Sequence, residues 1–365
     1  MQKKASAKMY YKKFRFEGVV VMAKLRMGLI GCGGMMTWNH APSLDKLLGE
    51  GKNFEITATC DLIKDRTDNL ANRYGAKSYI DYHDMLDDVD AVFIATTHDV
   101  HFEIAHFFMS NNKHCLLEKP LCNTREEIVI LDELAREKDV IFMCAYPVPY
   151  WEGVCLMRDM LATGQYGKIT QMSIWTEQYT PVPMEIAEEA AVSRGGGQLF
   201  SHGCHYIDIL LEFLGDPAYG VHIGSNLNTP WMADTEGTSN VTIMFKNGVM
   251  AYHFGTWGAR GSTLNYTFQI HTDEGMFDYK DSGPNPTLTF TSMLHPDPDK
   301  RREIVWKLTS TAGHATWREI THFLECVEQH KEPFTNARRS LRGLDVIWKL
   351  YDAEKKGEIA DLSNI

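Results

Sequence analysis

The chain has 365 residues, of which 44% are hydrophobic and 23% charged, and a formal net charge of -11. That length exceeds one ordinary core and fits two domains, and so negative a balance excludes nucleic acid or an anionic membrane as the main partner, because both repel it. No apolar run approaches the ~20 residues of a membrane-spanning helix, so the expected partner is a small molecule.

Residues 1–21 are basic and aromatic, with Lys3, Lys4, Lys8, Lys12, Lys13 and Arg15 ahead of a short apolar Val19-Val20-Val21. The apolar part is too short for a signal peptide and lacks a small-residue cleavage site. The stretch reads as an N-terminal extension, with the first domain beginning at Met22. Eight cysteines, none in a Cys-x-x-Cys pair and several inside apolar strands, read as reduced thiols of a cytoplasmic protein.

The apolar run ending at Leu29-Ile30 leads directly into Gly31-Cys32-Gly33-Gly34-Met35-Met36 and a helical pattern through His40 and Leu44. Glycines in such a turn let the backbone approach a pyrophosphate, whose charge rests on the free N–H groups of the helix start. The glycines alone also fit an ordinary tight turn, and Met36 stands where a third small residue is usual. A second strand, Phe54 to Cys60, ends at Asp61. A carboxylate there can accept both hydroxyls of an adenosine ribose and repel the extra phosphate of NADP. It can also cap the next helix.

Short strand and helix signals then alternate: a strand at Lys77 to Ile80, a helix at His83 to Leu86, a strand at Ala91 to Thr96, a helix at Val100 to Ser110 and a strand at His114 to Leu117. Thr124 and Glu127 form a capping box ahead of a helix with its stripe at Ile128, Leu131, Leu134 and Ala135. Val140 to Ala145 closes the series. Such alternation gives a parallel sheet, whose ligands sit at the carboxyl ends of its strands, where Gly31, Asp61, Thr96, Thr97 and Glu118 fall. After Tyr146 the pattern changes. Helices at Gly153 to Leu161 and Cys204 to Leu214 accompany alternating strands at Val241 to Phe245, Val249 to Phe254 and Tyr266 to Ile270, with Asn247-Gly248 as a two-residue hairpin turn. These predict an α+β open-sheet domain of antiparallel strands. The stripes Trp317, Ile320, Leu324, Val327 and Leu344, Ile347, Trp348, Tyr351 mark two closing helices.

Two stretches carry candidate chemistry. Glu118-Lys119-Pro120 ends a strand; a lysine there can bond a substrate hydroxyl and exchange its proton, or simply pair with Glu118 at the surface. Gly195-Gly196-Gly197 feeds a helix on which Ser201, His205, Asp208 and Glu212 follow at helical spacing, away from the stripe Ile207, Leu210, Leu211, Leu214. That face can line a cleft or meet solvent. His202 and His205 lack a third ligand at metal-site spacing, so no metal is expected.

In order and spacing these pieces resemble the Gfo/Idh/MocA family (glucose–fructose oxidoreductase and inositol dehydrogenase relatives) from about Met22 to Leu362. The carrying residues are the glycine turn, Asp61, Asp90 to Thr96 with His101, Glu118-Lys119-Pro120, Gly164-Gln165-Tyr166-Gly167-Lys168-Ile169, the triple glycine with His205 and Asp208, and Phe245-Lys246-Asn247-Gly248. The resemblance implies a Rossmann-type parallel-sheet domain over residues 22–146 and an α+β substrate and oligomerisation domain over 147–365. It implies hydride transfer between NAD(P) and a sugar, cyclitol or related polyol, and Asp61 makes NAD the expected cofactor over NADP. Gly31, Gly33, Gly34, Met35, Met36 and Asp61 would take the cofactor, with Thr96, Thr97, His101, Glu118 and Lys119 on its nicotinamide side. Lys119 and His205 would be catalytic, Pro120 would follow a cis bond, and Ser201, His202 and Tyr150 would meet substrate. An open sheet with one face uncovered by helices often finds a partner subunit, so a homo-oligomer through that sheet is expected.

Three departures fall on the substrate side. Ser201 replaces the aspartate usual four residues before the histidine, Thr97-His98 replaces a common proline, and Pro147-Val148-Pro149-Tyr150 replaces an arginine before an aromatic. They keep two other readings open: a redox-neutral, NAD-dependent glycosidase using transient sugar oxidation, and a silent dinucleotide-binding regulator.

Overall fold

Strand and helix alternate along the first half of the chain because short apolar runs are separated by amphipathic helical stretches, and in the computed structural model the strands form one sheet. The structure describes residues 14–16, 19–21, 23–180, 195–232, 235–281, 285–294, 297–307 and 316–365. Met22 and most of the 1–21 extension lie outside them, while Phe14–Phe16 and Val19–Val21 pair as an antiparallel ribbon.

The first sheet has six parallel strands: β1 (Leu25–Ile30), β2 (Phe54–Cys60), β3 (Lys77–Tyr79), β4 (Ala91–Ile94), β5 (His114–Glu118) and β6 (Phe142–Ala145). Their order is β3-β2-β1-β4-β5-β6. Helices α1 (Ala41–Gly49), α2 (Lys64–Tyr74), α3 (His101–Ser110) and α4 (Arg125–Lys138) connect them. Every residue of β4 is buried, as expected of a strand covered on both faces. The order reverses between β1 and β4, which opens a crevice at their carboxyl ends. The capping box of α4 forms as its sequence predicts. The helix expected at His83 to Leu86 is a tighter 3₁₀ turn, Tyr82–Asp88, entered through Asp81.

The second half begins with α5 (Glu152–Ala162) and β7 (Ile169–Glu177), followed by α6 (Cys204–Leu214). Seven further strands follow: β8 (Pro217–Ser225), β9 (Thr238–Phe245), β10 (Met250–Thr256), β11 (Thr267–Thr272), β12 (Met276–Lys280), β13 (Thr287–Thr291) and β14 (Arg302–Lys307). The closing elements are α7 (Trp317–Gln329), α8 (Ala337–Lys356) and β15 (Ala360–Asp361). The nine-stranded sheet runs β14-β13-β12-β11-β7-β10-β9-β8-β15. It is mixed rather than wholly antiparallel, because β7 and β10 pair in parallel at its centre. A parallel pair needs a long crossover, and here α6 and the β8-β9 strands lie between the two in sequence.

Two sequence expectations shift in detail. The turn after β9 closes through Gly248 N–H to Phe245 O and Phe245 N–H to Val249 O, both 2.9 Å, so the loop takes in Lys246 as well as Asn247 and Gly248. Only Gly248 is left-handed there, at φ 86°, which is the G1-bulge solution rather than the two-residue one. Second, α7 follows the second sheet in sequence but packs on the first. Ile320, Phe323, Cys326 and Val327 join Leu44, Leu47 and Phe93 in one core. The backbone of Thr335 also accepts the N–H of Cys144 at 2.8 Å, tying the C-terminal segment to edge strand β6. The expected division at residue 146 therefore does not hold for α7, because its apolar face is buried against α1.

Candidate functional site

The glycine turn is shaped by a close approach. Gly31 has φ 82°, and a Cβ there would stand 2.5 Å from the carbonyl oxygen of Ala95 and 2.8 Å from the amide of Thr96. Only glycine lets β1 turn this near the end of β4. At Gly33, by contrast, the nearest neighbour of such a Cβ is the Arg66 guanidinium at 3.9 Å, so the turn's outer side is open. The helix then starts at Met35 as a π turn that continues into α1, and its first amides have no carbonyl behind them. Met35 is 41% exposed beside this turn, whereas the Met36 side chain is fully buried in the core. Met36 can serve a ligand only through its backbone.

Asp61 reaches back to the same turn. Its Oδ2 accepts the Cys32 N–H and its Oδ1 the Ile63 N–H, each at 2.8 Å. Asp61 does not cap α2, whose N-cap is Ile63 with no side-chain cap bond; it closes a local turn on Ile63 instead, and each carboxylate oxygen keeps a further lone pair for a ligand. Across the crevice the Thr96 hydroxyl is buried without a partner, and Thr97 precedes the next turn. A dinucleotide fits these features: an open glycine turn, a helix start, a pinned carboxylate and an unused hydroxyl.

At the end of β5, Glu118 is almost fully buried. Its Oε1 lies 2.6 Å from His40 Nε2, and its Oε2 accepts the Lys119 N–H at 3.0 Å. Burial pushes a carboxyl up, but the His40 bond and the Lys119 charge outweigh it and hold Glu118 below the ordinary range. His40 Nδ1 lies 3.2 Å from the Thr316 hydroxyl, so α1, β5 and the start of α7 meet at this carboxylate. The Lys119-Pro120 bond is cis, as the resemblance implied. His101 is completely buried. Its Nδ1 lies 3.0 Å from Pro120 O and its Nε2 3.3 Å from Thr96 O, and burial lowers its pKa. It ties two loops together rather than presenting an atom to the crevice, a correction to its expected place among the cofactor contacts.

The Lys119 ammonium crosses to the second half of the molecule, where its Nζ donates to the main-chain carbonyl of Ser201 at 3.1 Å. Ser201 lies in the π turn Leu199–Gly203 that runs into α6, one turn before His205. The His205 ring meets Tyr146 at 5.3 Å and His202 at 5.9 Å. Gln198 Nε2 lies 3.3 Å from His202 Nδ1. Lys119 is thus brought from the end of β5 to Ser201, on the same turn-and-helix segment as His202 and His205.

Two expected contacts point elsewhere. Asp208 and Glu212 do not line a cleft with His205, because Arg339 of α8 binds Asp208 through two bonds of 2.7 and 2.6 Å and also binds Glu212. They are buried anchors between α6 and α8. Tyr150 also turns away from His205. Its hydroxyl lies 3.3 Å from Thr335 Oγ1 and its ring packs on His322 and Phe334. Its neighbour Trp151 instead reaches Tyr266, at 5.5 Å between rings. Among the described residues no group of three or more His, Cys, Asp or Glu side chains could hold a metal ion.

Residues 25–146 match the model of an oxidoreductase family with an NAD-binding Rossmann fold, and residues 154–278 match that of the GFO/IDH/MocA C-terminal domain. The chain belongs to the Gfo/Idh/MocA family. Its Gfo/Idh/MocA relatives include dTDP-3,4-didehydro-2,6-dideoxy-alpha-D-glucose 3-reductase of Actinomadura kijaniata, 30% identical over 88% of this chain and 93% of the relative. Levoglucosan dehydrogenase of Pseudarthrobacter phenanthrenivorans is 27% identical over 71% of this chain and 75% of its own. Among solved Gfo/Idh/MocA folds, levoglucosan dehydrogenase with NADH and levoglucosan superposes with a TM-score of 0.82 at 19% identity, covering 94% of this chain and all of the other. The WlbA dehydrogenase of Bordetella pertussis, in complex with NADH and UDP-GlcNAcA, gives 0.78 at 20% identity, covering 93% and 98%.

Sequence reasoning missed His40, Thr316 and Glu319 on the first side and Trp151, Tyr266 and Asp281 on the second. His40 was within reach: it stands four residues after Met36, on the buried face of the same helix, and a buried histidine demands a partner. The others meet only through tertiary contacts.

Proposed function

We propose that this protein is an NAD-preferring dehydrogenase that oxidises or reduces one CH–OH carbon of a sugar, cyclitol or related polyol. The supporting observation is the bond from Lys119 Nζ to the Ser201 carbonyl, which sets an ammonium group of the first sheet one helical turn from His205. The cofactor, when bound, supplies a hydride acceptor or donor. Gly31, Gly33, Gly34 and the backbone of Met35 and Met36 bind its phosphates, and Asp61 binds the adenosine ribose and disfavours a 2′-phosphate. Thr96, Thr97 and Glu118 border its nicotinamide end.

Lys119 Nζ and the His205 imidazole then flank the reacting hydroxyl, and its proton leaves through them on oxidation or returns through them on reduction. The Ser201 carbonyl holds the lysine where relatives of this type are expected to use a carboxylate, so the lysine is oriented by a dipole rather than by an opposite charge. His202 meets the rest of the substrate. The chain divides functionally near residue 146, with α7 closing the cofactor half. Tyr219, Val221, Ile223 and Met250 are exposed together on the outer face of the second sheet and support a homo-oligomer through that face. Eight free cysteines, seven of them buried, support work in the reducing cytoplasm.

The test is steady-state formation of reduced nicotinamide by the purified enzyme with NAD and a panel of sugars and cyclitols that includes levoglucosan and myo-inositol. Turnover with NAD above NADP is the expected result. Binding of NAD with no turnover on any member, or cleavage of a glycoside with no net NADH, overturns the proposal.

A further inference from the structure

The inner face of the second sheet carries buried polar atoms that the proposed reaction does not use. Asp281 extends β12 by one residue, so it shares a face with Phe277 and Tyr279. Opposite it, Tyr266 shares that face with Phe268, and the Asp281 N–H donates to the Tyr266 carbonyl at 3.1 Å. The same face meets the start of α6: Phe268 packs on Tyr206 at 6.0 Å, and Tyr266 lies 6.4 Å from the His202 ring. Trp151 completes the group, edge-on to Tyr266 and stacked 6.3 Å from Phe268.

Two atoms in this group stand out. The Asp281 carboxyl is bonded on one side only, its Oδ2 accepting the Tyr279 hydroxyl at 3.0 Å while its Oδ1 is buried and accepts nothing. The Trp151 indole N–H is buried and donates to nothing. The two residues are 9% and 8% exposed. Folded proteins rarely leave buried polar groups unmatched, and two within one cluster, an acceptor and a donor, are the complement of a hydroxyl group. Burial also pushes the Asp281 carboxyl up to about 6, the mark of a carboxyl short of partners.

We propose that Asp281 and Trp151 form a hydroxyl-recognition subsite beside His202, which holds a second hydroxyl of a cyclic polyol away from the oxidised carbon. This rests on the dehydrogenase reading above. Neither atom is reachable by solvent in the present conformation, so the cluster opens as the substrate enters, and the indole moves with it. In such a dry site a matched hydroxyl is favoured over a missing one far more than in water, because the unmatched alternative leaves both atoms buried and unpaired.

The test compares wild type with Asp281→Asn and Trp151→Phe on the best substrate of the sugar panel and on its monodeoxy analogues, with thermal melting alongside. The expected result is a rise of about tenfold or more in KM for the sugar, as for loss of one buried polar contact, with KM for NAD unchanged. One monodeoxy analogue should be poor for wild type yet no worse than the parent sugar for Asp281→Asn. Melting temperature should stay level or rise for Trp151→Phe, which removes the unmatched donor, and stay level for Asp281→Asn, which exchanges one buried polar atom for another. Unchanged sugar KM in both variants, or a fall in melting temperature that tracks the loss of activity, overturns the subsite and leaves the dehydrogenase reading standing. Failure of wild type to turn over any member of the panel overturns both. Trp151→Phe should also abolish the sugar-induced change in tryptophan fluorescence, and its persistence contradicts the opening of the cluster.

Discussion

The two sides of the crevice are built on opposite plans. On the cofactor side the charged and imidazole groups at the crevice are already matched, with the Thr96 hydroxyl left open: Asp61 holds two backbone amides, Glu118 is held by His40 and the Lys119 amide, and His101 binds two loops. On the substrate side Asp281 Oδ1 and Trp151 Nε1 wait for partners. The difference teaches where the specificity of each half resides. A prebuilt cradle suits one constant ligand, whereas unmatched atoms cost stability until the right ligand satisfies them.

Lys119 spans the two plans, and removing it should have the largest effect. Lys119→Ala is expected to lower kcat about a thousandfold, the scale of a lost acid–base group, while NAD binding measured by calorimetry stays within a few-fold. Loss of both together would mean that the lysine belongs to the cradle alone. Next in size is Arg339→Met, which breaks a matched network rather than an unmatched one. It leaves Asp208 buried without its cation, while Glu212 keeps its pairing with Arg158, and such a break of a buried pair costs about 3–5 kcal/mol. Chemical denaturation should show that loss, and a stability change under 1 kcal/mol would contradict the anchoring role drawn from its bonds.

Asp61→Ser probes the cradle's choice of ligand. Removing a charged acceptor, worth about 1.5–3 kcal/mol, should weaken NAD binding by an order of magnitude or more and bring NADP closer to it. An unchanged ratio would separate Asp61 from the ribose. The smallest effect concerns Glu319 of α7, an unmatched carboxyl on the cofactor side, whose two oxygens are buried without partners. Burial, reinforced by the charge of Glu118, raises its pKa well above the ordinary value. Because the folded form holds this proton more tightly than the unfolded one, stability falls as pH rises from the ordinary carboxylate range toward the folded value. Glu319→Gln should therefore raise the melting temperature more at pH 8 than at pH 5, and a pH-independent difference would show that the carboxyl is not protonated in the fold.

The same contrast explains what the sequence made legible. The glycine turn, Asp61, Glu118-Lys119-Pro120 and the Thr124 capping box are local: each motif is read from residues a few positions apart, and each lies at a strand end fixed by the alternation of β and α. The parallel pairing of β7 with β10 is not local, since it depends on a crossover through α6. Nor is the place of α7, whose amphipathic stripe says that it packs but not on which sheet. Helical spacing put Asp208 and Glu212 beside His205 and suggested a cleft, but a helix face can equally be claimed by a charged partner, and Arg339 claims it. Tyr150 and Trp151 differ by one position, and only tertiary packing decides which of them turns toward His202. Asp281 could not be singled out, because nothing in its neighbours in sequence distinguishes it from a surface aspartate.

The central claim is that a hydride leaves a carbon of the sugar beside Lys119 and His205. It is tested most directly by a single turnover with NAD and a panel sugar deuterated at its carbinol carbons, followed by mass spectrometry of the nicotinamide. Deuterium is expected in the reduced nicotinamide in proportion to the ketone formed. Unlabelled nicotinamide, or a cleaved glycoside that has recovered its deuterium with no net NADH, would contradict it.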